Sequence, residues 1–276
     1  MRQERLRIGV GVCLILLSWG ALQAEAPPEV TIIRDLPYRT DHATLNTEGQ
    51  ARCRLDVAIP KGQKNFPTVI WFHGGGLVAG DKHFPEPLLK EGIGVVTAGY
   101  RLTPGVPVTT CLDDAAAASA WVHREIGKYG GSSEKIVISG HSAGGYLAMM
   151  IGLDPQWLAK YQMEPSQFAG LAPFSGQTVT HVAARAELKV PRMQPLINEL
   201  APLYHLRKDA PPMLLLTGDR ERELMARYEE NAYLWRMLKT VGHPDVTLIE
   251  FPGTDHGSMV TPGYAPLMEF VRRVTN

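Results

Sequence analysis

Short apolar runs alternate with helix-like patterns along this chain, and that alternation restricts the fold more than any other sequence feature. Thr68–Phe72, Gly94–Ala98 and Lys135–Ser139 have the length and composition of strands that are buried on both faces. Apolar residues recur at helical spacing in three segments: Leu112–Tyr129, Tyr228–Val241 and Pro266–Val274. Strands that alternate with helices predict a mainly parallel sheet with helices on both faces, which is the α/β class.

Further strands are predicted on either side of this central part. Two of them form an N-terminal hairpin, Thr31–Ile33 and Leu55–Ile59. Three more follow the central runs: Ala169–Phe174, Met213–Thr217 and Val246–Phe251. The segment Ser175–Pro212 interrupts the rhythm, because it is spotted with proline and shows no clean helix. Long irregular connections of this kind are typical of lids and binding loops.

The composition is that of a folded globular protein with one large domain. The 276 residues are 45% hydrophobic and 20% charged, which suits one α/β core better than two independent ones. The 28 basic and 28 acidic residues give a formal net charge of zero. A chain with no basic surplus has nothing to neutralise phosphates with, so we expect no nucleic-acid partner.

The first residues resemble a secretory leader rather than a part of the fold. Arg2, Arg5 and Arg7 precede the apolar run Ile8–Trp19, and small residues follow as far as Ala26. We therefore predict a signal peptide at residues 1–24, a catalytic domain at residues 25–276, and export to the periplasm or the medium. The run is short for a membrane span, although a retained N-terminal anchor is the alternative.

Cleavage of the predicted signal peptide would remove Cys13 and leave two cysteines in the exported protein. Cys53 and Cys111 are an even pair in an oxidising compartment, where a disulfide can form. Two small buried hydrophobic residues are the equally acceptable alternative.

The strongest chemical signal is the sequence Gly140-His141-Ser142-Ala143-Gly144, which follows a predicted strand and precedes a helix-compatible segment. A G-x-S-x-G motif in that context places the serine on a sharp, strained turn, and its glycines let neighbouring backbone approach closely. The following helix begins beneath the serine, where developing negative charge is favoured. Ser142 is therefore the predicted nucleophile.

A run of glycines follows the buried strand Thr68–Phe72. In His73-Gly74-Gly75-Gly76 the glycines allow main-chain N–H groups to point into an open site and to stabilise a tetrahedral oxyanion. A phosphate loop is the alternative, but the Lys-Ser/Thr of a P-loop and a G-x-G-x-x-G fingerprint are both missing.

With these motifs the chain resembles the α/β-hydrolase family of serine esterases, in particular acetyl-xylan, feruloyl and hormone-sensitive-lipase-like esterases. The resemblance covers roughly residues 50–275 and includes Gly80-Asp81-Lys82, Tyr100-Arg101-Leu102 and Asp255-His256-Gly257. It implies an α/β-hydrolase fold and oxyanion donors at the N–H groups of Gly75, Gly76 and Ala143. The hormone-sensitive-lipase branch carries a long N-terminal cap, for which this chain has too few residues before His73.

A serine hydroxyl needs a base, and the base needs a carboxylate to orient it. His256 follows the strand Val246–Phe251 by a short loop, and the order serine, acid, histidine of this fold makes it the predicted base. The acid is expected just after the strand Met213–Thr217. We favour Glu221, because relatives commonly place the acid three residues after the glycine that ends this strand, and Asp219 is the rival.

The irregular segment Ser175–Pro212 is predicted to form a wall or lid over the site, with Phe174, Gln177, His181 and Met193 as substrate-binding residues. The alternative is that its apolar residues only attach the loop to the core.

Together these features predict an exported serine hydrolase of carboxylic esters that needs no metal or organic cofactor. Short acyl or aryl esters are the expected substrates, including acetylated or feruloylated glycans, and no stable membrane insertion is expected after processing. Two alternatives stay open: an amidase or peptidase with the same triad, and a non-catalytic binding module on a hydrolase scaffold.

Overall fold

A computed structural model describes residues 29–276, so the predicted leader at residues 1–24 lies outside the described residues. These residues contain one eight-stranded sheet with the order β1-β2-β4-β3-β5-β6-β7-β8. The strands are β1 (Val30–Pro37), β2 (Arg54–Pro60), β3 (Phe66–Phe72), β4 (Gly94–Ala98), β5 (Gly131–His141), β6 (Gly170–Phe174), β7 (Met213–Gly218) and β8 (Val246–Phe251). The pairs β1–β2 and β2–β4 are antiparallel and all other pairs are parallel, so the predicted hairpin and the predicted parallel sheet are both confirmed.

Helices cover both faces of this sheet. They are α1 (Thr47–Arg52), α2 (Val108–Glu125), α3 (Ala143–Leu153), α4 (Gln156–Ala159), α5 (Val182–Glu187), α6 (Arg227–Thr240) and α7 (Val260–Thr275). Short 3-10 segments lie at His42–Thr44, Glu86–Lys90, Ile126–Tyr129, Pro165–Gln167, Pro202–His205 and Leu224–Ala226. The segment Ser175–Pro212, which was expected to lack a helix, contains α5, whose first turn is capped by the His181 side chain.

The continuous apolar character of β3 follows from its central place in the sheet. Successive side chains of a strand point to opposite faces. Ile70 and Phe72 accordingly join one buried cluster with residues of α2, α3 and α6, whereas Val69 and Trp71 join a second cluster with residues of α7. A strand that is buried on both faces cannot show the alternation of apolar and polar residues that a half-exposed strand shows. The length of the apolar run was therefore the better sign of a strand here.

The parallel register brings the loops that matter to one edge. β3, β5, β6, β7 and β8 all run in the same direction, so the segments that follow them emerge together. These segments begin at His73, Ser142, Ser175, Asp219 and Pro252. In open α/β sheets this carboxyl edge is where ligands bind.

Candidate active site

Ser142 occupies a sharp turn between β5 and α3. Its backbone angles are φ 57° and ψ −115°, a conformation that a residue with a side chain adopts only at a cost. Its N–H donates to the carbonyl of Phe174 at 2.8 Å, which holds the turn against the end of β6. The strained conformation lifts the side chain above the carboxyl edge of the sheet.

The glycines around Ser142 are required by close backbone packing. A β-carbon at Gly144 would lie 2.0 Å from the carbonyl oxygen of Phe72, and one at Gly140 would lie 2.5 Å from the same atom. Real atoms do not approach so closely, so helix α3 and strand β3 meet backbone to backbone. The expected strand–turn–helix context of the motif is therefore present.

His256 joins the nucleophile to a carboxylate. Its Nε2 lies 2.9 Å from Ser142 Oγ and its Nδ1 lies 2.6 Å from Glu223 Oε1. A carboxylate can only accept, so Nδ1 carries the proton that is donated to Glu223, and Nε2 is left to accept from the Ser142 hydroxyl. Nucleophile, base and acid are thus within hydrogen-bond reach of one another.

The carboxylate that contacts His256 belongs to Glu223. Both residues that the sequence suggested as the acid, Glu221 and Asp219, are therefore wrong. Glu221 is exposed, and its N–H donates to the Asp219 side chain at 2.9 Å. The second carboxylate oxygen of Asp219 accepts from the N–H of Gly253 at 2.6 Å, so Asp219 holds the two neighbouring loops together. Neither carboxylate contacts His256.

The physical reason is a turn that the spacing rule did not include. The N–H groups of Arg222 and Glu223 both donate to the carbonyl of Asp219, which curls the chain back toward the sheet. The Glu223 side chain then accepts from the N–H of Gly218 at 2.9 Å, five positions earlier in the sequence. Three carboxylates stand within five residues here, and only the closed turn tells them apart.

The surroundings of Glu223 keep it ionised. Burial alone would raise its pKa, but the hydrogen bond from His256 and those from the N–H groups of Leu224 and Gly218 outweigh burial and lower the pKa to about 2. Only 1% of its side chain is exposed. A buried carboxylate that stays charged at neutral pH can hold a histidine in one tautomer and stabilise the imidazolium form.

Ser175 is a contact that the sequence reading missed. It is the first residue after β6, it is fully buried, and its Oγ lies 3.1 Å from His256 Nδ1. The Nδ1–H group therefore faces two acceptors, Glu223 and Ser175. Nη1 of the buried Arg227 donates to the Ser175 carbonyl at 2.6 Å, which fixes the serine backbone. A serine at a strand end carries no pattern that would single it out.

His141 supports the base from the side. Its Nε2 donates to the His256 carbonyl at 2.8 Å. Burial and the neighbouring His256 lower the pKa of His141 to about 4, so its imidazole is neutral at pH 7. His73 is similarly structural, because its ring stacks on Tyr100 with 4.3 Å between centroids.

The glycine loop after β3 lies over the nucleophile. Gly75 and Gly76 have φ values of 110° and 65°, and a β-carbon at Gly75 would lie 2.1 Å from the Ala79 carbonyl oxygen. A β-carbon at Gly74 would lie 3.4 Å from that of Ser142. Within residues 29–276 the N–H groups of Gly75, Gly76 and Ala143 donate no hydrogen bond to the protein. Such free donors beside a nucleophile can stabilise an oxyanion.

The four predicted substrate-binding residues occupy different places. Phe174 is fully buried and packs edge-on against Trp71, so it belongs to the core. Gln177 is also fully buried, and its Oε1 accepts from the N–H of Val182. His181 is 2% exposed, caps α5, and packs on Tyr146. Met193, with 71% exposure, lines a cavity.

The segment Ser175–Pro212 does form one wall of a groove. A cavity of about 350 Å³ lies between Gly76 and Val78 on one side and Val182, Ala183, Ala186, Val190 and Arg192 on the other. A second cavity of about 560 Å³ shares Val78, Ala183 and Ala186 with it and extends to Thr103–Pro107. The apolar wall is therefore supplied by α5 and Val190 rather than by the residues nearest to β6.

The two cysteines are buried free thiols, so the second of the two alternatives applies. Burial, together with the charge of Asp114, raises the pKa of each to about 12.

Among residues 29–276 no group of three or more His, Cys, Asp or Glu side chains is arranged to hold a metal ion. Over the same range, no helix is both long enough and apolar enough to cross a membrane.

The fold and the carboxyl-edge site define an α/β hydrolase, and solved structures agree. A truncated carbohydrate esterase from gut microbiota matches with a TM-score of 0.73 at 18% identity, over 91% of this chain and 98% of that one. Esterase 2 of Thermogutta terrifontis matches with a TM-score of 0.69 at 21% identity, over 90% of this chain and 95% of that one. The predicted α/β-hydrolase fold is thus confirmed.

Residues 55–235 match the BD-FAE family, and the chain belongs to that family. Curated relatives include Esterase LipC of Mycobacterium tuberculosis, 25% identical over 88% of this chain and 66% of its own length. Carboxylesterase NlhH of the same organism is 31% identical over 47% of this chain and 41% of its own length. The chain spans between about two fifths and two thirds of the length of these relatives.

Proposed function

We propose that the protein is a serine hydrolase of carboxylic esters. The observation that carries this proposal is the continuous hydrogen-bonded chain from Glu223 through His256 to Ser142, with distances of 2.6 and 2.9 Å. Membership of the BD-FAE family and the esterase names of the curated relatives support the same activity.

The geometry supports a two-step acyl transfer. Ser142 Oγ bonds to the ester carbonyl carbon while its proton passes to His256 Nε2, and Glu223 stabilises the resulting imidazolium. The negative charge on the former carbonyl oxygen is met by the N–H groups of Gly75, Gly76 and Ala143. His256 then gives its proton to the departing alkoxide, and the bond between the carbonyl carbon and that oxygen breaks.

The second step releases the acid. Water attacks the acyl group on Ser142, its proton passes to His256, and the proton is returned to Ser142 Oγ as the acyl–oxygen bond breaks. No redox step occurs, so the chemistry requires only water as a co-reactant.

The open apolar groove beside Gly76 supports substrates with a short acyl or aryl group. Its walls are small aliphatic side chains of α5 and the exposed Val78. Acetylated or feruloylated glycans remain within this proposal because of the sequence resemblance to glycan esterases. A panel of para-nitrophenyl esters of increasing chain length, with acetylated xylan and methyl ferulate, would test it. A clear optimum at long chains would contradict the short-chain proposal.

We also propose that the protein is exported. The proposal is supported by the arginines before the apolar run Ile8–Trp19 and by the small residues after it. Fractionation of cells that express the full chain, with sequencing of the mature N-terminus, would test it. A chain that stays in the cytoplasm with Met1 intact would contradict it.

The hydrolase activity is tested by a fluorophosphonate probe and by turnover of matched ester and anilide substrates. We expect labelling and ester turnover in the wild type, and neither in Ser142→Ala. Ser166→Ala, at an exposed serine in a 3-10 segment, is the matched control and should behave as the wild type. Equal labelling of Ser142→Ala would overturn the assignment, and faster turnover of the anilide would favour an amidase.

A further inference from the structure

A third and smaller cavity adjoins the apolar groove and is lined by two arginines. It has a volume of about 230 Å³ and is lined by Val179, Arg185, Arg192, Met193, Pro195, Met225, Ala226 and Glu230. Arg192 also lines the groove that begins at Gly76, so one side chain borders both spaces. Met225 and Ala226 follow the acid Glu223 closely in sequence, which places the cavity on the acid side of the site.

The arginines of this cavity have no carboxylate partners. Among the described residues 29–276, Arg185 and Arg192 form no salt bridge, and neither does Arg227, which follows Ala226 directly. Arg185 is only 3% exposed, its Nη1 donates to the Gln194 carbonyl at 2.5 Å, and its Nε has no partner in this part of the chain. A buried guanidinium without a counter-charge is costly.

Glu230 is the carboxylate on the lining of this cavity, and main-chain donors hold it. Its Oε2 accepts from the N–H groups of Thr178 at 3.0 Å and Val179 at 3.5 Å. Burial raises the pKa of Glu230 in spite of the opposing charge of Arg227. With Glu230 ionised, the two arginines of the lining, Arg185 and Arg192, still leave the cavity with an excess of positive charge.

We propose that this arginine cavity binds a carboxylate carried by the ester substrate. The planar guanidinium fork fits a carboxylate with two parallel hydrogen bonds. Arg185 would bind it from a buried position, whereas Arg192 is exposed at the mouth, where its Nη2 contacts Met225 Sδ at 3.7 Å. The volume admits a carboxylate with a few attached carbon atoms. Because Arg192 borders both spaces, the neutral part of the substrate lies in the groove beside Gly76 while its anionic end reaches Arg185 and Arg192.

This inference rests on the proposed ester hydrolysis, and it names the substrate class: esters with a carboxylate a few atoms from the scissile bond. Two matched pairs of substrates test which side of the ester carries the charge. Para-nitrophenyl hydrogen glutarate against para-nitrophenyl pentanoate places it on the acyl side. Para-acetoxybenzoate against para-tolyl acetate places it on the alcohol side.

The readout is the ratio of kcat/KM for the anionic ester to kcat/KM for its neutral partner. We expect this ratio to fall about tenfold in Arg192→Gln for at least one pair, which is the effect of losing one charged hydrogen bond. Arg192→Lys should recover only part of the loss, because an ammonium group lacks the fork. Arg124→Gln, at an exposed arginine on α2 remote from the cavity lining, should leave both ratios unchanged.

Direct binding separates this proposal from the hydrolase assignment. Calorimetric titration of the full chain with glutarate should show binding that weakens about tenfold in Arg192→Gln, and pentanediol should not bind. If no ester is hydrolysed but glutarate binding depends on Arg192, the hydrolase proposal fails and the arginine cavity stands. If esters are hydrolysed but both ratios and the affinity for glutarate are the same in the wild type and in Arg192→Gln, the proposed carboxylate site is overturned.

Discussion

The catalytic edge has two halves that are built in different ways. The nucleophile half consists of the segments after β3 and β5, residues 73–76 and 140–145, and backbone meets backbone there without room for a β-carbon at Gly144. The acid half consists of the segments after β6, β7 and β8, which supply Ser175, Glu223 and His256 through side-chain hydrogen bonds. Main-chain packing of the first kind leaves glycines in the sequence, whereas side-chain closure of the second kind leaves no fixed spacing.

The largest expected effect separates the carboxylates of the acid half. Glu223→Gln removes the charge that orients His256 and stabilises its protonated form, so kcat should fall by about four orders of magnitude. Glu221→Gln, two residues away and exposed, should keep the wild-type rate. Steady-state kinetics on a short para-nitrophenyl ester, with circular dichroism to verify folding, would measure both. A severe loss in Glu221→Gln with a mild one in Glu223→Gln would contradict the observed hydrogen bond.

The next effect tests the backbone packing of the nucleophile half. Gly144→Ala forces a β-carbon to within 2.0 Å of the Phe72 carbonyl oxygen, so unfolding should become easier by more than about 4 kcal/mol, or the chain should fail to fold. Gly127→Ala, where a β-carbon meets nothing within 4 Å, is the control and should change stability by less than about 1 kcal/mol. Urea unfolding measures both, and equal stabilities would show that α3 can move away from β3.

A third prediction concerns buried histidines in both the nucleophile half and the acid half. Burial, with the charges of Arg227 and Arg185, lowers the pKa of His181 to about 3, and burial lowers those of His73 and His141 to about 4. These groups are neutral in the folded chain but take up protons below about pH 6.5 once unfolded. The free energy of unfolding therefore has its full value above that pH. It declines as the pH falls toward 4, because only the unfolded chain then binds these protons.

Replacing one of these histidines should flatten the decline in stability. His181→Asn keeps a side chain that can cap α5. Between about pH 6 and about pH 4.5, this change should reduce the slope of the free energy of unfolding against pH by about 1.4 kcal/mol per pH unit. His83→Asn, at an exposed histidine, should leave the slope unchanged. Urea titrations at several pH values would measure it, and identical slopes would mean that His181 is protonated in the fold.

The smallest effect probes how His256 is held. Ser175→Ala removes one acceptor from His256 Nδ1 but leaves the Glu223 contact, so kcat should fall by only about fivefold with KM nearly unchanged. Ser258→Ala, whose hydroxyl contacts Asp255 instead, is a control on the same edge. A loss as large as that of Glu223→Gln would make Ser175 an essential partner.

The comparison also explains what the sequence could predict. Ser142, His256 and the glycine loop were identifiable because a strained turn and close backbone contacts demand particular residues at fixed spacing. The sheet was identifiable because its central strands are buried on both faces. These features are local consequences of main-chain geometry.

The remaining parts depend on how loops close in space. Glu223 was missed because the turn at Asp219 adds two residues to the expected spacing. Phe174 was placed in the pocket, but it is the last residue of β6 and packs into the core on Trp71. His181 follows β6, but its side chain caps α5 in buried surroundings. Groove-lining α5 was missed because six residues are too few for a recognisable period.

The contact between Gly144 and Phe72 has a consequence for motion. Because α3 and β3 touch through their main chains, the nucleophile and the glycine loop must move as one rigid body. The start of the acid half is tied to this body by the bond from the Ser142 N–H to the Phe174 carbonyl and by the bond from His141 to the His256 carbonyl. Glu223, on the loop after β7, instead reaches the nucleophile through the His256 ring. Movement of that loop therefore changes the contact between acid and base while the spacing between the nucleophile and the loop amides persists. Such an edge can open to exchange product for substrate and close again with its charge-stabilising geometry intact.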